Sequence, residues 1–297
     1  MYKAKKVCAV ILVGGKGKRL RPLSTDAKPK AFLSVTKDRK TMFRVTLNRI
    51  KRIIPPGNVL VSANKAHGRL IKRDFPGIGK ANLILEPVSR NTAPAITLAA
   101  VTLKKRFKDA VMVVLPADQY IPDEKKYLAT IKSAVTFAAK NDCLVVLGLK
   151  PTFPSTGFGY IKIKNRKTKH KDIYRVDKFT EKPDLKTAKR FLKDGSYLWN
   201  AGAFVFRISS ILGAMAVSAP QILQGVKRFN KLKTARIYEN LPGVSIDYAV
   251  MEKADNIFCV KGTYRWQDIG SFNALKEVLR RESRKFILKN GKVTHIL

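Results

Sequence analysis

The chain has 297 residues and carries 60 Lys plus Arg against 21 Asp plus Glu, which gives a formal net charge of +39. Hydrophobic residues make up 45% of the sequence, enough to bury a core, so the composition excludes a disordered basic tail. The length allows one large domain or one domain with a small appendage, and no apolar run approaches the ~20 residues of a membrane span.

The basic residues are spread over the whole chain rather than gathered into one stripe or tail. A surface that binds nucleic acid usually concentrates its charge, whereas the densest segment here, 162–171, is only a short Lys-rich stretch between two strand-like runs. We therefore interpret the charge as a general property of the surface. No specific nucleic-acid partner and no membrane partner are expected.

The cysteine pattern favours buried thiols in a reducing compartment. Cys8, Cys143 and Cys259 each lie in an apolar, strand-like run, and none forms a CxxC pair. The apolar run at 7–13 follows several lysines, as in a signal peptide, but it has only seven residues and leads into a charged glycine loop. It is interpreted as the first strand of a cytoplasmic protein.

In the first half of the chain, short runs rich in Val, Ile and Leu alternate with helical patterns. The predicted strands lie at 7–13, 58–63, 82–85, 111–115 and 143–149. The predicted helices lie between them at 41–54, 65–74, 93–107 and 124–140. Uninterrupted apolar runs are typical of strands buried on both faces. This order predicts an α/β fold with a mostly parallel sheet, helices on both of its faces and a ligand at the carboxyl ends of the strands.

The second half is less regular. Strands are predicted at 159–164, 172–180, 199–206 and 256–260. Helices are predicted at 184–194, 208–217, 245–254 and 270–284. The last stretch predicts a hairpin around Asn290-Gly291, since Asn-Gly is a strong turn signal. We therefore expect one domain over 1–284 and a short C-terminal β extension over 285–297.

A glycine-rich loop follows the first predicted strand and reads GGKGKRLRPLS from Gly14 to Ser24. Glycines let the backbone approach a ligand closely, and the four basic residues Lys16, Lys18, Arg19 and Arg21 would attract a polyphosphate. Two common phosphate motifs do not fit the loop. A Walker A loop needs Ser or Thr where Arg19 stands, and the dinucleotide fingerprint needs a glycine where Leu20 stands.

This loop, together with Pro29-Lys30, resembles the signature of the sugar-1-phosphate nucleotidyltransferases. Further segments resemble the mannose-1-phosphate guanylyltransferase branch of that family and occur in the family's order. They read EP at 86–87, RNTAPA at 90–95, PAD at 116–118, GFGYI at 157–161, FTEKP at 179–183, WNAG at 199–202, SIDYAVMEK at 245–253 and WQDIG at 266–270. The resemblance covers most of the chain and implies a Rossmann-like nucleotidyltransferase fold, with a mostly parallel (mixed) central sheet flanked by helices.

The resemblance also implies a reaction, in which GTP and mannose 1-phosphate give GDP-mannose and pyrophosphate. The sugar phosphate oxygen attacks the α-phosphorus of GTP in line, so the protein mainly has to hold two anions together and neutralise charge. Asp118 and Asp268 resemble the family's metal-binding carboxylates. Two carboxylates with phosphate oxygens and water suit Mg²⁺, and Mn²⁺ is the alternative.

The remaining site residues are also carried over from the resemblance. Arg19 and Lys30 resemble phosphate contacts, and Lys182 resembles the residue that holds the phosphate of the sugar 1-phosphate. The sugar pocket would be completed by Glu181, Asn200 and the backbone of Gly159. The nucleotide would be bound by Gly14, Gly15, Gly17, Arg19, Glu86, Asn91 and Thr92, with the alternative that Asn91 only caps the next helix. Trp199 and Trp266 are expected to pack rather than to stack on a ligand.

Three positions depart from the family pattern, namely Lys18, Arg21 and Gln119. They affect the choice of substrate more than the reaction. One alternative is therefore a related enzyme that uses UTP or dTTP with glucose 1-phosphate, and another is a non-catalytic basic binding protein on the same fold. The length is expected to leave no room for the isomerase domain of longer relatives. A homodimer is left open.

Overall fold

The computed structural model describes residues 6–15, 17–167, 172–229 and 235–297, except for the side chains of 165–167. Lys16 of the glycine loop and the end of the Lys-rich segment at 162–171 lie outside these residues. Within them, the strands are β1 Val7–Val13, β2 Val59–Asn64, β3 Leu83–Glu86, β4 Val111–Pro116, β5 Gln119–Tyr120, β6 Leu144–Leu149, β7 Tyr160–Lys167, β8 Ile173–Thr180, β9 Tyr197–Arg207, β10 Ile257–Gly262, β11 Gln267–Asp268, β12 Phe286–Lys289 and β13 Lys292–Ile296.

The helices complete the framework. The α-helices of the described residues are α1 Met42–Ile50, α2 Gly68–Asp74, α3 Thr92–Lys104, α4 Glu124–Lys140, α5 Leu185–Asp194, α6 Ile208–Ser218, α7 Pro220–Arg228, α8 Ala235–Glu239 and α9 Phe272–Arg281. The segment predicted as a helix at 245–254 forms a π-helix at Asp247–Met251. None of the helices in the described part of the chain is long and apolar enough to cross a bilayer.

A nine-stranded sheet in the order β3-β2-β1-β4-β9-β6-β10-β8-β7 forms the centre of the molecule. The prediction of a mixed sheet is confirmed, but the prediction that its strands are mostly parallel is wrong beyond β4. Strands β1 to β4 pair in parallel, as do β6 and β10, but β9 runs antiparallel to both β4 and β6, and β8 runs antiparallel to β10 and β7. The sequence did not predict these directions, because an apolar run shows that a strand is buried but does not show which way the strand runs.

Strand β1 shows why the apolar runs are continuous. Cys8 and Val10 point into a core cluster that includes α3, α6 and α7, whereas Ala9 and Ile11 point into the cluster on the other face, which includes α1 and α4. Successive side chains alternate between the faces of a strand, so a strand covered on both sides is apolar at every position. The prediction of helices on both faces is confirmed.

The sequence pattern did not reveal α7, α8 or the short strands β5 and β11. Pro220 opens α7, and Ile222, Leu223 and Val226 form its buried face, which is a normal helix start followed by helical spacing. The pairing of β5 with β11 spans two residues on each side and has no periodic signal. At the end of the chain, β12 and β13 pair across a turn with positive φ at Asn290 and Gly291, as the Asn-Gly pair predicts.

Candidate functional site

A cleft with a volume of about 990 Å³ lies at the carboxyl ends of β1, β2, β3 and β4, as the parallel part of the sheet predicts. Its opposite wall comes from the loop before β7, the end of β8 and the middle of β9. Ten of the predicted site residues line it: Gly14, Gly15, Glu86, Asn91, Thr92, Asp118, Gly159, Glu181, Asn200 and Asp268. The cleft therefore brings together residues from nearly the whole length of the chain.

Lys30 joins the two predicted metal-binding carboxylates. Its Nζ lies 3.1 Å from Asp118 Oδ2 and 2.7 Å from Asp268 Oδ1. Asp118 follows the end of β4, and the pairing of β5 with β11 places Asp268 opposite Gln119, one residue further along. Burial opposes the charge on the Lys30 ammonium, but the two carboxylates outweigh it and raise the pKa of Lys30 above its ordinary value.

The carboxylate oxygens of Asp118 and Asp268 are the donor type that a hard divalent cation prefers. Their side chains are 24% and 28% exposed and face the cleft, whereas the Lys30 side chain is only 9% exposed and lies behind them. The described residues hold no group of three or more His, Cys, Asp or Glu side chains suited to a metal ion. A cation here would have two protein carboxylates and would need further oxygen ligands from phosphate or water, which is usual for Mg²⁺.

The glycine loop is held close to this cluster. Gly17 has a φ of 60°, its carbonyl accepts a 2.6 Å hydrogen bond from Ser24 Oγ, and a Cβ there would lie only 3.1 Å from Lys30 Cβ. The predicted site residue Gly17 therefore packs the loop against Lys30 and does not line the cleft. Gly14 and Gly15 do line it, and Gly15 has a φ of 87°.

Arg19 lies beside the carboxylate cluster rather than within the cleft lining. A Cβ on Gly270 would lie 3.4 Å from Arg19 Nη2 and 3.1 Å from Asp268 Oδ2, so both side chains adjoin the same glycine. The side chain of Arg19 is exposed. It is placed to meet an anion at the mouth of the cleft.

The predicted sugar pocket forms where three antiparallel strands meet. Tyr160, the first residue of β7, pairs with both Thr180 and Trp199, which brings the neighbouring Gly159, Glu181 and Asn200 together. The Gly159 carbonyl accepts a 2.8 Å hydrogen bond from Asn200 N, and a Cβ on Gly159 would collide with Glu181 Oε2. The absence of a side chain at Gly159 therefore allows the Glu181 carboxylate to lie against the backbone.

Lys182 and Glu181 form an ion pair at the edge of this pocket. Lys182 is outside the cleft lining, and its side chain is 55% exposed. Partial burial opposes its charge, but the hydrogen bond to Glu181 and the nearby carboxylates raise the pKa of Lys182 above its ordinary value. The ammonium therefore stays charged and is free on its solvent side to meet a phosphate.

Asp247, the first residue of the π-helix, is a cleft residue to which the sequence assigned no role. It accepts a 3.0 Å hydrogen bond from Asn200 Nδ2, while Asn200 Oδ1 accepts from Gly202 N at 2.9 Å. Burial and the neighbouring Glu181 carboxylate raise the pKa of Asp247 to about 6. The available signal was its place in the segment SIDYAVMEK at 245–253, which resembles the family but does not distinguish a site residue from a core residue.

The opposite end of the cleft holds the predicted base pocket. Glu86 ends β3, is 6% exposed, and accepts hydrogen bonds from Ser62 Oγ at 3.2 Å and from Tyr238 Oη at 2.7 Å. Burial raises the pKa of Glu86, although the two hydrogen bonds work in the other direction. Neither Ser62 nor Tyr238 was predicted as a site residue. Ser62 is a polar residue near the end of a buried strand, and Tyr238 lies where no element was predicted.

Asn91 and Thr92 serve the backbone as well as the cleft. The Asn91 side chain accepts from Thr92 N at 2.9 Å as the N-cap of α3, and Thr92 Oγ1 accepts from Ile246 N at 2.8 Å. Asn91 has a φ of 68° and a ψ of −172°, a conformation that non-glycine residues rarely adopt. Asn91 therefore caps α3 and also lines the cleft, so the cap does not exclude a contact with the nucleotide.

Both tryptophans pack against other aromatic rings. The Trp199 ring lies 4.8 Å from that of Phe153 and 5.1 Å from that of Phe158, centroid to centroid. Phe158 also contacts Trp266, and both of these rings line the cleft. They form an aromatic wall next to the sugar pocket.

The three cysteines are also buried and free, as predicted.

The curated relatives of this chain include several mannose-1-phosphate guanylyltransferases. The chain is 37% identical over 303 residues to a mannose-1-phosphate guanylyltransferase of Escherichia coli, covering 96% of this chain and 64% of the relative. It is 35% identical to one from Sinorhizobium fredii, covering 97% of this chain and 58% of the relative. The chain thus spans about three fifths of the length of the curated relatives it matches.

A solved structure and a family model agree with these relatives. The structure is from Thermus thermophilus, is described as a mannose-1-phosphate geranyltransferase, and superposes with a TM-score of 0.83 at 33% identity. The superposition covers 92% of this chain and 79% of the Thermus thermophilus chain. The family model described as nucleotidyl transferase matches residues 8–285. On the fold, the cleft and these matches, the chain belongs to the nucleotidyl transferase family.

Proposed function

We propose that the chain transfers GMP from GTP to mannose 1-phosphate and releases pyrophosphate, giving GDP-mannose. The observation that carries this proposal is the arrangement of the cleft. Asp118 and Asp268, with Lys30 behind them, form a charged cluster on one wall, and Glu181 and Asn200 form a polar pocket on the other, with Lys182 at its edge. The names of the curated relatives support GTP and mannose 1-phosphate as the two substrates.

The roles of the side chains follow from their charges. Lys182 would hold the phosphate of mannose 1-phosphate. An oxygen of this phosphate would form the new bond to the α-phosphorus of GTP. The bond from that phosphorus to the bridging oxygen breaks, and the electron pair leaves with pyrophosphate. The attacking oxygen is already anionic, so no base has to remove a proton. Lys30 and Arg19 would stabilise the negative charge that gathers on the phosphates.

Asp118 and Asp268 would hold the divalent cation, with Mg²⁺ as the proposed ion and Mn²⁺ as the alternative. Such an ion would supply positive charge that offsets the charge of the reacting phosphates. The protein contributes a fixed pair of carboxylates, which Lys30 keeps together by contacting both. This lysine also leaves the pair less negative than two carboxylates alone, so further ligands have to come from the substrates.

The domain bounds, the cellular location and the oligomeric state belong to the same proposal. We infer a Rossmann-like nucleotidyltransferase domain over 1–284 and a short C-terminal β extension over 285–297, supported by the parallel strands β1 to β4 and the terminal hairpin. Three free, buried cysteines support a reducing cytoplasmic location. The reaction allows a homodimer, and the molar mass of the purified protein in solution would test for one.

A substrate panel tests the proposal. Purified protein would be incubated with Mg²⁺, each of GTP, UTP, dTTP and ATP, and either mannose 1-phosphate or glucose 1-phosphate, and pyrophosphate release would be followed. We expect the GTP and mannose 1-phosphate pair to give the highest kcat/KM. A preference for UTP or dTTP with glucose 1-phosphate would contradict the substrates. Absence of turnover, together with binding to duplex DNA, would favour the basic binding protein instead.

A further inference from the structure

Behind the predicted base pocket, Tyr238 fixes the orientation of Glu86. The Glu86 carboxylate accepts one hydrogen bond on each oxygen, from Ser62 Oγ on Oε1 and from Tyr238 Oη on Oε2. Glu86 and Ser62 line the cleft, whereas Tyr238 does not and is 0% exposed. The tyrosine therefore acts on the contents of the cleft only through Glu86.

The position of the Tyr238 hydroxyl is tightly determined. Its ring packs against Phe229, with a centroid distance of 5.0 Å, and belongs to the large core cluster on one face of the sheet. Burial raises the pKa of Tyr238 far above the physiological range, so the hydroxyl remains protonated and donates to Glu86. The carboxylate is thus held by a rigid neutral donor, because moving the ring would require the core to repack.

A carboxylate fixed in this way suits a base with two adjacent N–H donors. Each oxygen has accepted one bond and keeps capacity for another, since an ionised carboxyl group only accepts. Guanine carries N1–H and the exocyclic N2 amino group side by side. Hypoxanthine lacks the amino group, and uracil and thymine present one N–H between two carbonyl oxygens. Of these four bases, only guanine can therefore donate to both oxygens at once, and only when the carboxylate plane is correctly turned.

We propose that Tyr238 is a specificity-determining positioning residue, whose hydroxyl orients Glu86 so that both of its oxygens accept hydrogen bonds from guanine. This inference rests on the proposed use of GTP and adds the group that enforces it. A site that hydrogen-bonds a substrate donor discriminates against an analogue lacking that donor, because the analogue cannot replace the bond to water that the buried acceptor gives up. Tyr238 would thus set the preference for GTP over ITP, which differs only by the 2-amino group.

The test compares Tyr238→Phe with the wild-type protein. KM, kcat and the calorimetric Kd would be measured for GTP and for ITP, with mannose 1-phosphate as the second substrate in the kinetic assays. We expect the GTP-to-ITP ratio of kcat/KM to fall about tenfold or more, through a higher KM for GTP and nearly unchanged kcat, since one hydrogen bond to a charged group is lost. The values for ITP should change little.

Tyr264→Phe is the matched control. Tyr264 is 5% exposed, and its hydroxyl has no hydrogen-bond partner among the described residues, so the same atom is removed from a buried ring away from Glu86. It should keep the wild-type ratio. Ser62→Ala is a second test variant that releases the other carboxylate oxygen, and we expect it to lower the ratio in the same direction even if Tyr238→Phe folds poorly.

The two proposals fail in different ways. If wild-type protein releases no pyrophosphate from GTP and mannose 1-phosphate, the proposed function is wrong, while calorimetry still reports whether GTP binds more tightly than ITP. If the wild-type protein shows no preference for GTP over ITP, or if folded Tyr238→Phe and Ser62→Ala keep that preference in full, the role of Tyr238 is overturned.

Discussion

Gly159 shows how a single missing side chain shapes the sugar pocket. Its Cα faces Glu181 Oε2 so closely that a Cβ would overlap the carboxylate. The residue has no positive φ, so its requirement for glycine comes from this close approach and not from the backbone conformation. The sequence placed Gly159 in the pocket by resemblance, but only the pairing of β7, β8 and β9 supplies the physical reason.

We expect Gly159→Ala to raise the KM for mannose 1-phosphate about tenfold or more while the KM for GTP stays near the wild-type value, since a displaced Glu181 loses a charged hydrogen bond to the sugar. Gly157→Ala is the control, because its Cβ would find its nearest neighbour, Ser155 Oγ, at 3.7 Å. Initial-rate kinetics with both substrates varied would measure this. Equal effects on both KM values would show that the alanine disturbs the whole cleft.

The raised pKa of Asp247 predicts how the free energy of unfolding depends on pH. Its pKa of about 6 in the folded protein lies above the ordinary value of 3.8, with Glu181 and Lys182 as its charged neighbours. The folded state therefore holds the proton more strongly, and the free energy of unfolding falls as the pH rises from about 4 through 6. Asp247→Asn removes this dependence and can still accept from Asn200 Nδ2.

The Asn variant should consequently be more stable than the wild-type protein above pH 7, by up to about 3 kcal/mol, and equally stable near pH 4. Urea unfolding at a series of pH values would measure the difference. A difference that stays constant with pH would show that Asp247 does not carry the raised pKa.

At the scale of elements, the pair β5–β11 is the most consequential feature that the sequence did not predict. It has two residues in each strand, yet it places Asp268 next to the segment that carries Asp118. The larger elements were predictable because buried strands and amphipathic helices repeat a pattern over many residues. A two-residue pair has no such period, and the direction of β9 depends on contacts far apart in the sequence.

An ion pair fixes the approach to β11. Arg265 lies two residues before this strand, and it donates to Asp123 from its backbone N at 2.9 Å and from Nη2 at 2.7 Å. Asp123 directly precedes α4, so the contact joins β11 to the start of a core helix. A clamp in this place should hold Asp268 at a fixed distance from Asp118.

We expect Arg265→Ala to weaken Mn²⁺ binding in the presence of GTP about tenfold, as loss of an outer contact at a metal site typically does. Its melting temperature should change little, because exposed ion pairs contribute at most about 1 kcal/mol. Paramagnetic resonance of free Mn²⁺ would report the affinity. Arg281→Ala, which removes the exposed pair with Glu277 on α9, is the control. Unaltered Mn²⁺ affinity in Arg265→Ala would rule out the clamp.

At the scale of the whole molecule, the charge of +39 is far larger than the site requires. Among the described residues, the proposal assigns phosphate contacts to Arg19, Lys30 and Lys182, and Lys30 already contacts two carboxylates. Composition thus indicated a basic surface but not the site, which rests on a small set of residues identified by resemblance and brought together by the sheet.

If the excess charge steers anionic substrates towards the cleft, kcat/KM should fall about threefold to tenfold between roughly 50 and 300 mM salt, while kcat changes much less. Initial rates across a series of KCl concentrations, at saturating and at low substrate, would separate the two constants. A flat kcat/KM would leave the charge as a property of the surface without a role in association.

Strand β9 crosses the molecule between β4 and β6, and it also pairs with β7. The wall that carries Asp118 and the wall that carries Asn200 are therefore parts of one hydrogen-bonded sheet, not two bodies joined by a hinge. We therefore expect the floor of the cleft to keep its width when substrates bind. Any closing over them is expected at the rim, where the glycine loop and the residues after β8 are attached.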